Sequence, residues 1–122
     1  MVVVDAANVV GSVPDGWWRD RAGAAERLRD ALVPLAVEGL SGVEGPVEVI
    51  LVVEGAARGV TSVPGVRVVA APGSGDDATV DVVASADPAR RTIVVTADRG
   101  LRARVTALGA EVIGPRSVPR TV

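Results

Sequence analysis

Four aspartates fall where an α/β chain would do chemistry. Asp5 closes the first apolar run, Met1 to Val4, and Asp98 follows a later one, Thr92 to Ala97; Asp77 and Asp81 sit between them, four residues apart. In an open sheet the carboxyl ends of parallel strands share one edge, and ligands bind outside that edge where the strand order reverses. Carboxylates gathered there read as a divalent-metal site, because they supply the hard oxygen donors that magnesium and manganese take. On a helix Asp77 and Asp81 share a face about one turn apart, and like charges so placed destabilise it. A local conflict of this kind is expected where a ligand or ion offsets it. Read alone, the pair has a plainer account, in which Asp76 and Asp77 cap a helix and Asp81 is solvated. Asp5 and Asp98, each directly after a strand, favour the metal.

The composition narrows what else such a site can use. The 122 residues contain no cysteine and no histidine, so thiol nucleophiles, thiolate zinc sites and imidazole bases are excluded. All thirteen basic residues are arginine, which removes Schiff-base lysines and the lysine of a Walker-type phosphate loop. A formal net charge of −2 argues against bulk attraction to a polyanion, although a local arginine patch remains open. No apolar stretch is long enough to span a bilayer, and a cytoplasmic location with no membrane partner is expected. Length and a hydrophobic fraction of 48% suit one domain with one core.

The elements that must position the acids follow from the apolar runs. Val2 to Val4, Val47 to Val53, Val66 to Ala70, Thr92 to Thr96 and Ala110 to Ile113 are nearly continuous and rich in β-branched residues, as expected of parallel strands covered on both faces. Helical spacing predicts a helix from Trp17 to about Val33, with Trp18 on the inner face beside Ala22, Ala25, Leu28 and Leu32; Pro34 should kink or end it. A second helix is predicted from Asp76 to Ala86 and a third from Leu101 to Leu108, stopped by Gly109. Gly39 to Pro46 reads as a turn, Gly55 to Gly65 as a polar loop with one helical turn, and 114–122 as an irregular tail. Alternating strands and helices predict a three-layer α/β/α sandwich with right-handed crossovers around a mostly parallel five-stranded sheet.

Four segments resemble the NYN/YacP-like branch of the PIN-domain ribonucleases. They are Val-Val-Val-Asp-Ala-Ala-Asn at 2–8, Asp77-Ala-Thr-Val-Asp81, Val-Val-Thr-Ala-Asp-Arg at 94–99 and Gly-Ala-Glu-Val-Ile-Gly at 109–114. The resemblance spans nearly the whole chain, and implies one PIN-like domain over 1–122 with sheet order 3-2-1-4-5, so that Asp5 and Asp98 become neighbours. It matches Asp5, Asp77, Asp81 and Asp98 to the acidic positions, and Asn8 to the asparagine after the first aspartate. Where family members often carry an aspartate after the second strand this chain has Glu54, which binds through water or shapes the pocket.

The expectation is a ribonuclease using Mg2+ or Mn2+ on Asp5, Asp77, Asp81 and Asp98, with Glu54 and Asp76 as further candidates. Asn8 would orient Asp5 or hold a metal-bound water, or else act as a turn residue bonding its own backbone. Thr96 would offer its hydroxyl to the scissile phosphate, unless it is only a β-former. Arg99 and Arg102 beyond Asp98, and Arg19 and Arg21 at the start of the first helix, are candidates for gripping single-stranded or structured RNA. Arg90 and Arg91 fall at the opposite edge. One tryptophan is expected in the core and the other exposed, as a stacking platform or partner contact. The alternatives are a catalytically weak PIN-like module binding RNA or protein, and a phosphohydrolase of free nucleotides; a homo-oligomer or protein partner is compatible with each. Gly73-Ser-Gly-Asp-Asp-Ala78 fits a dinucleotide fingerprint only formally, since it follows the third strand and faces two aspartates toward the phosphates. A receiver domain is disfavoured because Asp5 lacks an acid two residues on and no lysine exists to hold a phosphoryl group.

Overall fold

A computed structural model of the chain describes residues 1–40 and 42–119. The chain opens with strand β1 (Val2–Asp5), turns directly into a short helix α1 (Ala6–Gly11), and passes a 3₁₀ turn at Trp17–Arg19 into α2 (Arg21–Glu38). A small hairpin, β2 (Gly39–Leu40) with β3 (Val43–Glu44), leads to β4 (Val49–Val53). Then come a 3₁₀ turn at Gly55–Ala57, β5 (Val66–Ala70), α3 (Gly75–Ser85), β6 (Ile93–Val95), α4 (Arg99–Ala107), β7 (Glu111–Ile113) and a last 3₁₀ turn at Pro115–Ser117.

The main sheet runs β5-β4-β1-β6-β7 with every neighbouring pair parallel. Counting its five strands along the chain, this is the order 3-2-1-4-5, and the reversal falls between β1 and β6. Alternation along each strand divides the core in two. Val2, Val4, Val49, Leu51 and Val53 pack on one face against Val9 of α1 and Ala25, Leu28 and Leu32 of α2. Val3, Ile50, Val52 and Val94 pack on the other against Ala78 and Val83 of α3 and Leu101 and Val105 of α4. Burying each such side chain contributes on the order of 1.5–3 kcal/mol, so a register slip in β1 would forfeit both layers at once.

Four expectations change. First, α2 continues four residues past Pro34, because Pro34 lies on the exposed face, where water can satisfy the carbonyl that loses its donor. Second, the helix begins at Arg21 rather than Trp17, since Asp20 leaves helical geometry and caps it through a 2.9 Å bond from Gly23 N. That break takes Trp18 out of phase, leaving it 52% exposed while Trp17 is partly buried. Third, the turn at Gly39 to Pro46 carries a two-residue hairpin. Fourth, the expected tail is built in: Val118 is 5% exposed within the α2-side core, while residues 120–122 lie outside the described range. Among the described residues no helix is long and apolar enough to cross a membrane.

Candidate active site

Asp5 ends the central strand, paired through Val52 to β4 on one side, while its neighbour Val4 pairs with Val95 of β6 on the other. The chain then enters α1 at once, with Asp5 as the N-cap and its Oδ1 accepting from Asn8 N at 3.5 Å. Only 4% of Asp5 is exposed. Thr96, at the end of β6, donates its hydroxyl to Asp5 Oδ2 at 3.0 Å and accepts from Asp98 N at 3.2 Å. Asn8 Oδ1 accepts from Ala97 N at 2.8 Å, a second tie across the reversal. Asp98 in turn caps α4, its Oδ1 taking Leu101 N at 2.8 Å. Asp5 and Asp98 are thus linked through one hydroxyl, and each begins a helix.

The third side is brought in by Glu54, directly after β4. Its Oε2 accepts from Gly75 N at 3.0 Å and pins the first turn of α3 to the sheet edge. A Cβ at Gly75 would lie 2.9 Å from Glu54 Oε1, so any larger residue would push that carboxylate aside. Ser74 caps α3 by accepting from Asp77 N at 3.1 Å. The buried stripe of α3 is Gly75, Ala78, Thr79 and Val83, so Asp76 at its border is half-buried.

These carboxylates feel one another. Burial pushes the Asp5 carboxyl up from 3.8 to about 6, with the charges of Asp76 and Glu54 adding to it and the hydrogen bonds from Thr96 and Asn8 opposing it. Asp76 is also raised, first by burial and then by Asp98 and Glu54, against the pull of Arg104. Negative charge is therefore concentrated at the strand reversal with little basic compensation.

The candidates from the sequence separate accordingly. Asp5, Asn8, Thr96 and Asp98 are brought together, with Glu54 and Asp76 beside them. Asp77 and Asp81 are not brought into this group: each lies two residues from Thr79, about 200° around the helix, and both are exposed. Asp77 pairs with Arg104 at 3.0 Å, and Asp81 lines a groove with Arg67 and Arg90. The signal for this was present in Ser74, an N-cap that takes Asp77 N and so sets Asp77 in the first turn of the helix. Thr96 is fully buried, so its hydroxyl positions the two aspartates and does not meet a substrate. Arg99 and Arg102 stand exposed on α4. Arg19 lies over Trp18 and Arg21 over Trp17, at 5.7 and 5.4 Å from the ring centres. Arg90 and Arg91 pair with Glu48 and Glu111 at the opposite edge.

The donors at the reversal are all oxygens, which fits a hard divalent cation in chemistry and charge. Among the described residues no three His, Cys, Asp or Glu side chains stand close enough together to enclose one ion. Magnesium does not require that, since it commonly keeps several waters and takes one or two carboxylates.

No protein-family model matches the chain, and no curated protein does. Among solved structures, Rae1 (YacP) from Bacillus subtilis is similar with a TM-score of 0.75 over 95% of this chain and 70% of that one, at 18% identity. The fold is YacP-like. That likeness is one of fold, the backbone frame in which the acids are set.

Proposed function

We propose that the protein is a metal-dependent endoribonuclease hydrolysing RNA phosphodiester bonds at the strand reversal. The observation that carries the reading is the Asp5–Thr96–Asp98 chain of hydrogen bonds, with the half-buried Asp76 set against it. The YacP-like fold and the motif resemblance to PIN-domain ribonucleases support it. Of Asp5, Asp76 and Asp98, one or two would ligate Mg2+ or Mn2+ directly and the rest would act through its water shell. When bound there, such an ion supplies an activated water and neutralises charge on the phosphodiester oxygens. The resemblance also names Asp77 and Asp81; the exposure of both and the ion pair of Asp77 favour Asp76 in their stead.

The chain's own residues prepare this chemistry before substrate arrives. Thr96 ties the Asp5 carboxylate to the backbone N–H of Asp98, Asn8 locks α1 to the loop after β6, and Leu101 N holds the Asp98 carboxylate, so the two acids are oriented in advance. Glu54 acts on α3, holding Asp76 toward the cluster. Arg99 and Arg102, on the helix that Asp98 caps, offer paired donors to flanking phosphates. Incubation of internally labelled RNA oligomers with the protein, with and without Mn2+, tests the reading: metal-dependent internal cleavage is expected, and release of mononucleotides or phosphate alone would contradict it. A second reading, an RNA-binding module with weak catalysis, is favoured by one observation, that among the described residues no three acidic side chains enclose a common point. RNA binding without cleavage would select it.

A further inference from the structure

A pocket of about 190 Å³ opens beside the acidic cluster on the α2 side of the sheet, lined by Ala6, Val10, Trp17, Arg21, Ala25 and Glu54, among others. We propose that it receives one nucleobase of single-stranded RNA, that of a nucleotide adjoining the cleaved phosphodiester; the proposal rests on the ribonuclease reading and names a subsite for it.

Ala6 follows Asp5 directly, and Glu54 belongs to both the pocket wall and the carboxylate cluster. A phosphodiester over Asp5 therefore has the pocket within the reach of one nucleotide.

The volume is below the roughly 300–1,000 Å³ of pockets for drug-sized ligands, and suits one flat ring system. Ala6, Val10, Ala25 and Ala57 make an apolar floor, which an aromatic base can cover.

The walls select a base over an apolar side chain of a protein partner. Trp17 and Arg21 are both planar groups, with the guanidinium 5.4 Å from the indole centre. Bases stack on aromatic rings and on guanidinium planes alike. Trp17 and Trp18 pack in a T-shape, ring centres 5.9 Å apart and planes at 88°, which holds Trp17 in orientation. Arg21 also puts a fixed positive charge beside the site, which favours a polyanion; a leucine or valine side chain would desolvate Arg21 and Glu54 without pairing either.

The test separates binding from cleavage. In EDTA, the full chain is titrated with a short single-stranded RNA and with versions lacking the base at one position each, and binding is followed by anisotropy. One abasic position should weaken binding, and Trp17→Ala should weaken the intact oligomer roughly 5- to 100-fold, the loss of one base–aromatic stack. Binding of the abasic oligomer should then be unchanged by Trp17→Ala. Arg21→Ala, at an exposed position, serves if Trp17→Ala fails to fold, with a loss in the same direction. Equal binding of intact and abasic oligomers, or intact binding by a folded Trp17→Ala protein, overturns the pocket. Failure of the wild type to cleave RNA in Mn2+ while the abasic effect persists would instead overturn the ribonuclease reading alone.

Discussion

Replacing Asp5 by Asn should change the sign of its effect on stability across the pH range. The Asp5 carboxyl titrates near 6 in the folded chain against 3.8 when unperturbed. Below about pH 4 both states are protonated and the charge costs nothing. Between about pH 4 and pH 6 the folded state holds a proton that the unfolded state has released, so wild-type stability falls as the pH rises through this window. Above it the full penalty is present. At about 1.4 kcal/mol per pKa unit it amounts to about 3 kcal/mol. Asparagine carries no charge and escapes this penalty, but its amide has one acceptor oxygen, so capping Asn8 N leaves no acceptor for the Thr96 hydroxyl, at a cost of about 1 kcal/mol. The variant should therefore be slightly less stable than wild type at pH 4 and more stable by about 2 kcal/mol at pH 8. For a domain of this size that is a rise in Tm of roughly 6–10 °C. Urea unfolding of both proteins in EDTA, at pH steps from 4 to 8, measures the difference directly, and titrations common to both cancel. A difference of constant sign and size over this range would refute the claim that Asp5 is held against its charge.

Other perturbations address the remaining parts of the site. Asp76→Asn should lower manganese-dependent RNA cleavage about a hundredfold or more, as the loss of one positioned charge does, while Asp77→Asn should leave it within a few-fold; equal losses would restore Asp77 to the site. Asp98→Asn should abolish cleavage and keep the α4 cap, whereas Asp98→Ala should also cost about 1 kcal/mol in urea unfolding. Gly75→Ala should drive the Glu54 carboxylate off Gly75 N and cost about 1 kcal/mol, with a larger fractional loss of activity than of stability. Millimolar Mn2+ should raise Tm in the wild type by mass action and do so less in Asp5→Asn; no shift in either protein would count against the metal.

Much of the frame was legible because parallel strands leave nearly continuous apolar runs, and five of them were visible, although only β1, β4 and β6 are buried throughout. The adjacency of Asp5 and Asp98 followed from the sheet order that the motif resemblance implied. What was illegible depended on phase and context. Helix α1 has six residues, too few to show a period, and Asn8 within it reads as a turn residue. Pro34 is tolerated only because the face it occupies is solvated, which sequence does not state. The choice between Asp76 and Asp77 is one of helical phase: neighbouring residues differ by about 100°, and the anchor setting that phase, Glu54 on Gly75, comes from twenty-one residues upstream. Val118 enters the core from a segment whose prolines suggested no order.

Asp5 and Asp98 each serve as the N-cap of a helix, and asparagine caps a helix about as well as aspartate does. Exchange of one oxygen for one nitrogen at either position therefore removes a charge from the cluster while leaving the helix start intact, and at Asp5 it relieves burial strain as well. Selection for folding alone would not resist that exchange and at Asp5 would favour it above neutral pH. Persistence of both acids in a lineage thus records a pressure other than stability. Among proteins that share this fold at low identity, the residues at these two caps report on retained chemistry in a way that the fold itself does not.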